Sequence, residues 1–443
     1  MDRKGLTYEY IDIVKQDQDL YYEDYIKAKE KVERSNARYR GKPVPFLYQP
    51  MFFTWEDVEN FNRIGKILIS IGDKVINKYI ESPKYRKMFR YPKLLEELIL
   101  IDPGYDVYIP ISRFDIFYNG GDEFKFIEVN TDGSSGMNED NIFSNIILDS
   151  RSMEYMKKKY RIGYFELIDS WVEESLKIYD GFVHRVDMPN IGIVDFSETG
   201  ITAEFEAFKQ AYRRRGYNAE IIDPRELKYM NGYLYYGNMR IDLIYRRIVT
   251  VEFIEKSYEI PDLIEAYRDG AVCMIGSLRS QIMHNKIIFK ILHHEDTLKL
   301  LTKEEISFIQ DHIPYTEEFS GDSNRFRKVM ENKDAYIIKP MDSFASQGVY
   351  AGRDFSQKEW ERIVADCWDK DYIFQEFIEP SKGPFIQFNN RGNLSVEDFN
   401  INIGAYMYNG NFAGIYTRIS KDSIIFGREG YYSIPNLLVE GVR

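Results

Sequence analysis

The stretch ISRFDIFYNGGDEFKFIEVNTDGSSG, residues 111–136, constrains the fold more than any other part of the chain. Two runs, VYIPISRFDIFY and EFKFIEVN, alternate apolar and polar residues on either side of NGGD. That is the pattern of a β-hairpin with a Gly-rich turn, over residues 106–130. Residues two apart on a strand face the same side. Arg113 therefore shares a face with Asp115, and Glu128 with Asn130, and strand pairing can make the two faces coincide. Two carboxylates and an amide oxygen form a hard, all-oxygen environment that suits Mg2+ held jointly with phosphate oxygens, and the arginine would then face a transferring phosphoryl group. The plain alternative is an exposed hairpin face carrying an ordinary Arg–Asp pair.

Upstream, from residue 8 to about 100, the pattern is helical. Trp55, Val58, Phe61, Ile64, Leu68, Ile71, Val75 and Tyr79 recur at three- and four-residue steps, the buried stripe of a long helix, with Thr54 as its N-cap. Downstream, a helical segment is expected from roughly 138 to 179. NIGIVDFS, ITAEFEAFKQAYRRRG, NAEIIDP and IDLIYRRI then read as strand, helix, strand and strand. This is a βαβ unit, so a parallel sheet is expected in the middle of the chain. VDFSETG has one glycine where a dinucleotide fingerprint needs three, which argues against a nicotinamide or flavin cofactor. From about 270 the chain reads as an α+β arrangement in two small lobes, ending in the hairpin NINIGAYMYNGNFAGIYTRIS.

Three further stretches carry candidate chemistry. Lys339 ends an apolar strand in YIIKPMDSFASQGVYAG, and Ser343, Ala345, Ser346 and Gly348 in the following loop are small enough for backbone amides to approach phosphates. The P-loop order is absent, and a plain β-turn fits the same residues. In YIFQEFIEP, Gln375 and Glu376 interrupt an apolar strand that could serve as an adenine hinge, with the backbone of Glu376 to Ile378 on the purine edge; an edge strand with solvated polar residues is the alternative. Lys286, in MHNKIIFKIL, sits on an apparently amphipathic helix, where a solvated lysine is the default.

Composition excludes several classes. With 71 acidic and 59 basic residues the formal charge is −12, which disfavours nucleic acid and anionic membranes as partners. Two cysteines, Cys273 and Cys367, supply neither a disulfide framework nor a Cys-rich zinc site. The five histidines lack ligand spacing, and neither a Gly-x-Ser-x-Gly elbow nor a Cys–His nucleophile is evident. There is no apolar run of spanning length, and the opening MDRKGLTYEYIDIVKQDQD lacks the apolar core of a signal peptide, so a soluble cytoplasmic protein is expected.

The order of these pieces resembles the circularly permuted ATP-grasp group that includes the synthetase domain of glutathionylspermidine synthase. Arg-x-Asp and Glu-x-Asn precede a βαβ unit. An Asn-Lys helix, a Lys-Pro strand with its small-residue loop and a Gln-Glu-aromatic-Ile hinge follow. DLIYRRI and NGNFAGIYTRIS also look like segments of that group, and the likeness runs from about 40 to about 430. The resemblance implies an α/β and α+β, ATP-grasp-like fold in four parts. These are a helical N-terminal region (1–100), a metal-binding hairpin module (101–150), a βαβ pre-ATP-grasp-like substrate domain (151–270) and the ATP-grasp lobes (271–443).

It further implies that Asp115, Glu128 and Asn130 ligate Mg2+, and that Arg113 stabilises the transferring phosphoryl group. Lys286 and Lys339 would contact the ATP phosphates, and Ser346, Gln347 and Gly348 would close over them. Gln375, Glu376, Phe377 and Ile378 would line the adenosine. Ser134 and Ser135 are candidates for the acyl substrate. Of that enzyme only the synthetase half is expected here, because the N-terminal segment is too short for the amidase domain that precedes it and carries no cysteine nucleophile. The implied activity is an ATP-dependent, ADP-forming carboxylate–amine ligase joining a small-molecule or peptide carboxylate to an amine through an acyl phosphate. The alternatives are a non-catalytic nucleotide-binding subunit and an ATP-grasp kinase acting on a non-carboxylate acceptor.

Overall fold

The computed structural model describes residues 2–39, 41–342, 347–425 and 430–442. The hairpin is formed by strands Ile111–Gly120 and Glu123–Asn130, and it is the edge of a six-stranded antiparallel sheet. Its neighbour is the long strand Leu394–Tyr408, followed by Asn411–Ser420 and Tyr431–Ile434, while Ser381–Phe388 pairs with the first half of the long strand. Segments almost three hundred residues apart thus build one face. The register places Arg113 opposite Asn130 and Asp115 opposite Glu128, so all four side chains emerge on that face.

The parallel sheet is present, in the order Cys273–Ile275, Leu243–Arg246, Ile191–Val194, Ala219–Ile222, with helix Thr202–Arg214 making the crossover. A second lobe is a four-stranded antiparallel sheet of Thr316–Glu318, Tyr372–Glu376, Tyr336–Pro340 and Tyr350–Ala351. Helices Ser323–Glu331 and Gln357–Cys367 pack on it around Phe319, Val329, Ile338, Trp360 and Phe374. A cleft lies between this lobe and the six-stranded sheet.

Three expectations need correction. Helix Trp55–Glu81 forms and buries Phe61, Ile64, Leu68, Ile71, Val75 and Tyr79, but Trp55 is 51% exposed. In the first turn the inward position goes to Asp57, which accepts from the Thr54 amide at 2.8 Å and from the Tyr118 hydroxyl at 3.0 Å. Neither 8–100 nor 138–179 is continuously helical, because Met51–Thr54 and Tyr160–Tyr164 flank Asn436–Val442 in a three-stranded sheet. Strands this short show no readable alternation, and their partner lies near the far end of the chain. The Asn-Lys helix is also broken: helix Gln281–His284 ends before Lys286, and the next begins at Ile288. Asn285 Oδ1 accepts from the Ile287 amide at 3.1 Å, a local side-chain bond that competes with the helix ladder. Among the described residues no helix is long and apolar enough to cross a membrane.

Candidate active site

Each hairpin carboxylate is met by a cation from outside the hairpin, and Asp115 also by Arg113 of its own strand. Asp115, 3% exposed, accepts from Arg113 Nε and Nη2 at 2.7 and 3.1 Å and from Arg418 Nη2 at 2.6 Å. Arg113 reaches it across Gly404, whose position on the neighbouring strand is obligatory. A Cβ there would stand 2.7 Å from Arg113 Cδ and 3.0 Å from the Tyr416 carbonyl oxygen. Arg113 Nη1 also donates to the Ser135 carbonyl at 2.8 Å, fixing the guanidinium at the mouth of the TDGSSG loop.

Glu128 forms an ion pair with Lys286 at 2.7 Å. The helix break makes this possible: the Lys286 amide donates to the Met341 carbonyl at 2.9 Å, which turns the residue toward the hairpin. Burial opposes ionisation of Glu128, but Lys286, then Lys339 and His284, hold its pKa at about 2. Lys339 is 5% exposed and donates to Gln375 Oε1 at 2.8 Å and to the Ile127 carbonyl at 3.1 Å. Burial first, and Lys286 as well, bring its pKa down to about 8 against the pull of Glu128.

Two cavities meet at this cluster. The first, of about 820 Å3, brings together Asp115, Glu128, Lys286, Lys339, Gln347 and Gln375–Ile378. The second, of about 1340 Å3, is lined by Arg113, Glu128, Asn130, Ser134, Ser135 and residues of the parallel-sheet layer. Glu128 and Arg418 line both. Ser346 lies outside the described residues, and Gly348 follows Gln347 at φ 71°. The purine-edge expectation narrows: the amides of Glu376 and Phe377 donate to the carbonyls of Tyr315 and Ala335 at 2.9 and 2.8 Å, whereas among the described residues the Ile378 amide has no acceptor.

A family model for circularly permuted ATP-grasp type 2 proteins matches residues 85–413. This chain belongs to the circularly permuted ATP-grasp family. Among solved structures, this ATP-grasp chain is similar to a glutathione synthetase-like effector from Globodera pallida, with a TM-score of 0.55 at 10% identity over 96% of this chain and 98% of the other. A putative gamma-glutamylcysteine synthetase from Methylobacillus flagellatus gives a TM-score of 0.42 at 12% identity, over 80% and 82% of the two chains. At 10% identity the likeness to the effector concerns the fold alone. No curated protein matches.

Sequence reasoning about this ATP-grasp chain missed Arg418 and Tyr416, which lie beyond the matched residues. A signal existed: in YTRIS they stand two apart on a strand expected to pair, and so share one face. As for a metal, among the described residues no three His, Cys, Asp or Glu side chains cluster to hold one unaided. Asp115, Glu128 and Asn130 offer three oxygen ligands on one face, which fits an ion that completes its shell with phosphate and water oxygens. The buried Asn130 amide nitrogen, with no partner among the described residues, fits a further acceptor arriving there.

Proposed function

We propose that the protein is an ATP-dependent carboxylate–amine ligase, releasing ADP and forming an amide or peptide bond through an acyl phosphate. The observation that supports this best is the sharing of Glu128 and Arg418 by the two cavities. A nucleotide in the first cavity would present its terminal phosphate at the point where a carboxylate in the second could attack it. Lys286, Lys339 and Arg418 line the first cavity, where they could meet polyphosphate, and Arg113 stands on the wall of the second. When bound to Asp115, Glu128 and Asn130, Mg2+ would neutralise charge on the phosphate oxygens.

The protein's own groups do the rest. Lys286 and Lys339 hold the phosphates, and Gln375 holds Lys339. Arg113 and Arg418 stabilise the charge that develops on the transferring group and its acceptor, so positioning and electrostatics carry the catalysis. Attack of the amine on the acyl phosphate expels phosphate and leaves the amide.

The test is ADP release with Mg2+ and paired acids and amines, with hydroxylamine replacing the amine in a parallel assay. A ligase gives ADP only with both substrates, and a hydroxamate with hydroxylamine. ADP without hydroxamate would indicate a kinase, AMP a different activation chemistry, and no turnover with any pair a binding subunit.

Two predictions follow from the geometry. Lys339 loses its charge as pH rises through about 8. In pH profiles of the free enzyme, kcat/KM for ATP therefore falls roughly tenfold per pH unit above that point, and Lys339→Arg abolishes the decline because a guanidinium stays charged. A flat wild-type profile would remove Lys339 from the phosphate site. Gly404→Val should lower kcat at least about tenfold and cost about 1–3 kcal/mol of stability, because the new side chain meets both Arg113 and a strand carbonyl that cannot yield. Steady-state assays and thermal melts check both effects.

A further inference from the structure

At the second cavity, the carboxyl of Glu139 has no ion-pair partner among the described residues. Glu139 stands in the first turn of helix Met137–Leu148, 3% exposed, and its Oε2 is buried without a hydrogen-bond partner among the described residues. The described cations that act on it, Arg113 and Arg247, are committed elsewhere. Glu204, from helix Thr202–Arg214, accepts from the amides of Gly136, Met137 and Asn138 at 3.0, 2.9 and 3.3 Å and pairs with Arg247 at 3.1 Å. Arg113 is bound to Asp115. Asp140, on the same turn, accepts from Asn436 Nδ2 at 2.6 Å. Tyr416 and Tyr431, from the six-stranded sheet, also face Glu139, and burial keeps both phenols protonated. Burial first, then Glu204, push Glu139 up to about 8, so the cavity wall carries a protonated acid at pH 7.

We propose that Glu139 anchors an ammonium subsite, holding a protonated primary amine of a substrate whose reacting group lies at Arg113 and Arg418. The proposal rests on the ligase reading and deepens it. A buried carboxyl without a partner is unfavourable, and an arriving ammonium both satisfies it and restores its charge. A neutral hydrogen-bonding group could satisfy it but would leave it protonated. The cover over this end of the cavity includes Tyr39 and Val44, which lie outside residues 85–413, and Asn138 Nδ2 ties their segment down by donating to the Asn36 carbonyl at 3.0 Å. The subsite therefore draws on parts of the chain that the family model does not span, as a selectivity feature should. The compounds it fits are amino acids or short peptides with a free amino group, or an amine co-substrate with a second ammonium.

Binding at pH 7 converts R–NH3+ and Glu139–COOH into an ion pair and releases one proton to the buffer. Isothermal titration of the full chain in phosphate and in Tris reads that proton. The probes are L-alanyl-L-alanine, N-acetyl-L-alanyl-L-alanine and 1,4-diaminobutane. The free dipeptide or the diamine should bind at least about tenfold more tightly than the acetylated dipeptide and release about one proton. The dipeptide responding places the ammonium on the acyl substrate; the diamine responding places it on the nucleophile. Glu139→Gln should abolish the preference and the proton release, with Mg·ATP affinity unchanged. Equal binding of free and acetylated dipeptide without response to the diamine, no binding of any probe, or a preference that survives Glu139→Gln would overturn the proposal. The wild-type comparison needs no variant to fold. Because these are binding measurements, they can fail while ADP release succeeds, or succeed while it fails.

Discussion

Arg113→Ala should lower kcat at least about a hundredfold, a loss of about 3 kcal/mol in transition-state stabilisation, while Mg·ATP affinity stays within about threefold. The split follows from placement. Arg113 lines the second cavity and not the nucleotide cleft, so the group it serves is the acyl end of the transfer. The fold should tolerate the change, because neither of its acceptors is stranded. Asp115 keeps Arg418 at 2.6 Å, and the Ser135 carbonyl keeps the Tyr406 hydroxyl at 2.6 Å. Single-turnover ADP formation beside nucleotide titration separates the two quantities. An unchanged kcat, or a fall in ATP affinity by the same factor, would show that Arg113 is no more than a clamp on Asp115.

Such a division of labour was partly readable before any coordinates. The hairpin was legible because alternation and the NGGD turn are local signals, and a period of two fixes which residues share a face. The βαβ unit was legible for the same reason. What escaped was set by tertiary contacts. The local pattern alone makes Lys286 a solvated helical residue, and only the resemblance gives it a phosphate role; one Asn285 side-chain bond and one backbone bond to Met341 turn it onto Glu128. Arg418 lies in a stretch read for its hairpin turn and its likeness to the family, with no role given to the residue, and its partner Asp115 lies 303 residues away. Glu139 gave no signal, because an acidic residue early in a helix is favourable on any surface helix.

Glu128→Gln should be the most damaging single exchange at this site, through two routes. The first is electrostatic. Burial and Lys286 lower the pKa of Lys339 while Glu128 raises it, and the balance is about 8. Without that carboxylate the lysine loses its proton at a lower pH, so the alkaline fall in kcat/KM for ATP should move toward neutrality. The second is loss of an oxygen ligand from the hairpin face, so that turnover drops by about 3 kcal/mol or more at any pH. Stability should also fall by about 1–3 kcal/mol, since Lys286 keeps a neutral acceptor in place of its carboxylate. Glu128 titrates at about 2, below its ordinary value. Its contribution to stability is thus complete above the usual carboxylate range and is lost only as pH falls toward 2, and it gives the wild type no acidic limb between pH 5 and 8. Profiles of kcat/KM from pH 6 to 9.5 for both proteins decide the matter. A variant with lowered turnover but an unmoved alkaline limb would uncouple Glu128 from Lys339, and one with both intact would take the hairpin out of the reaction.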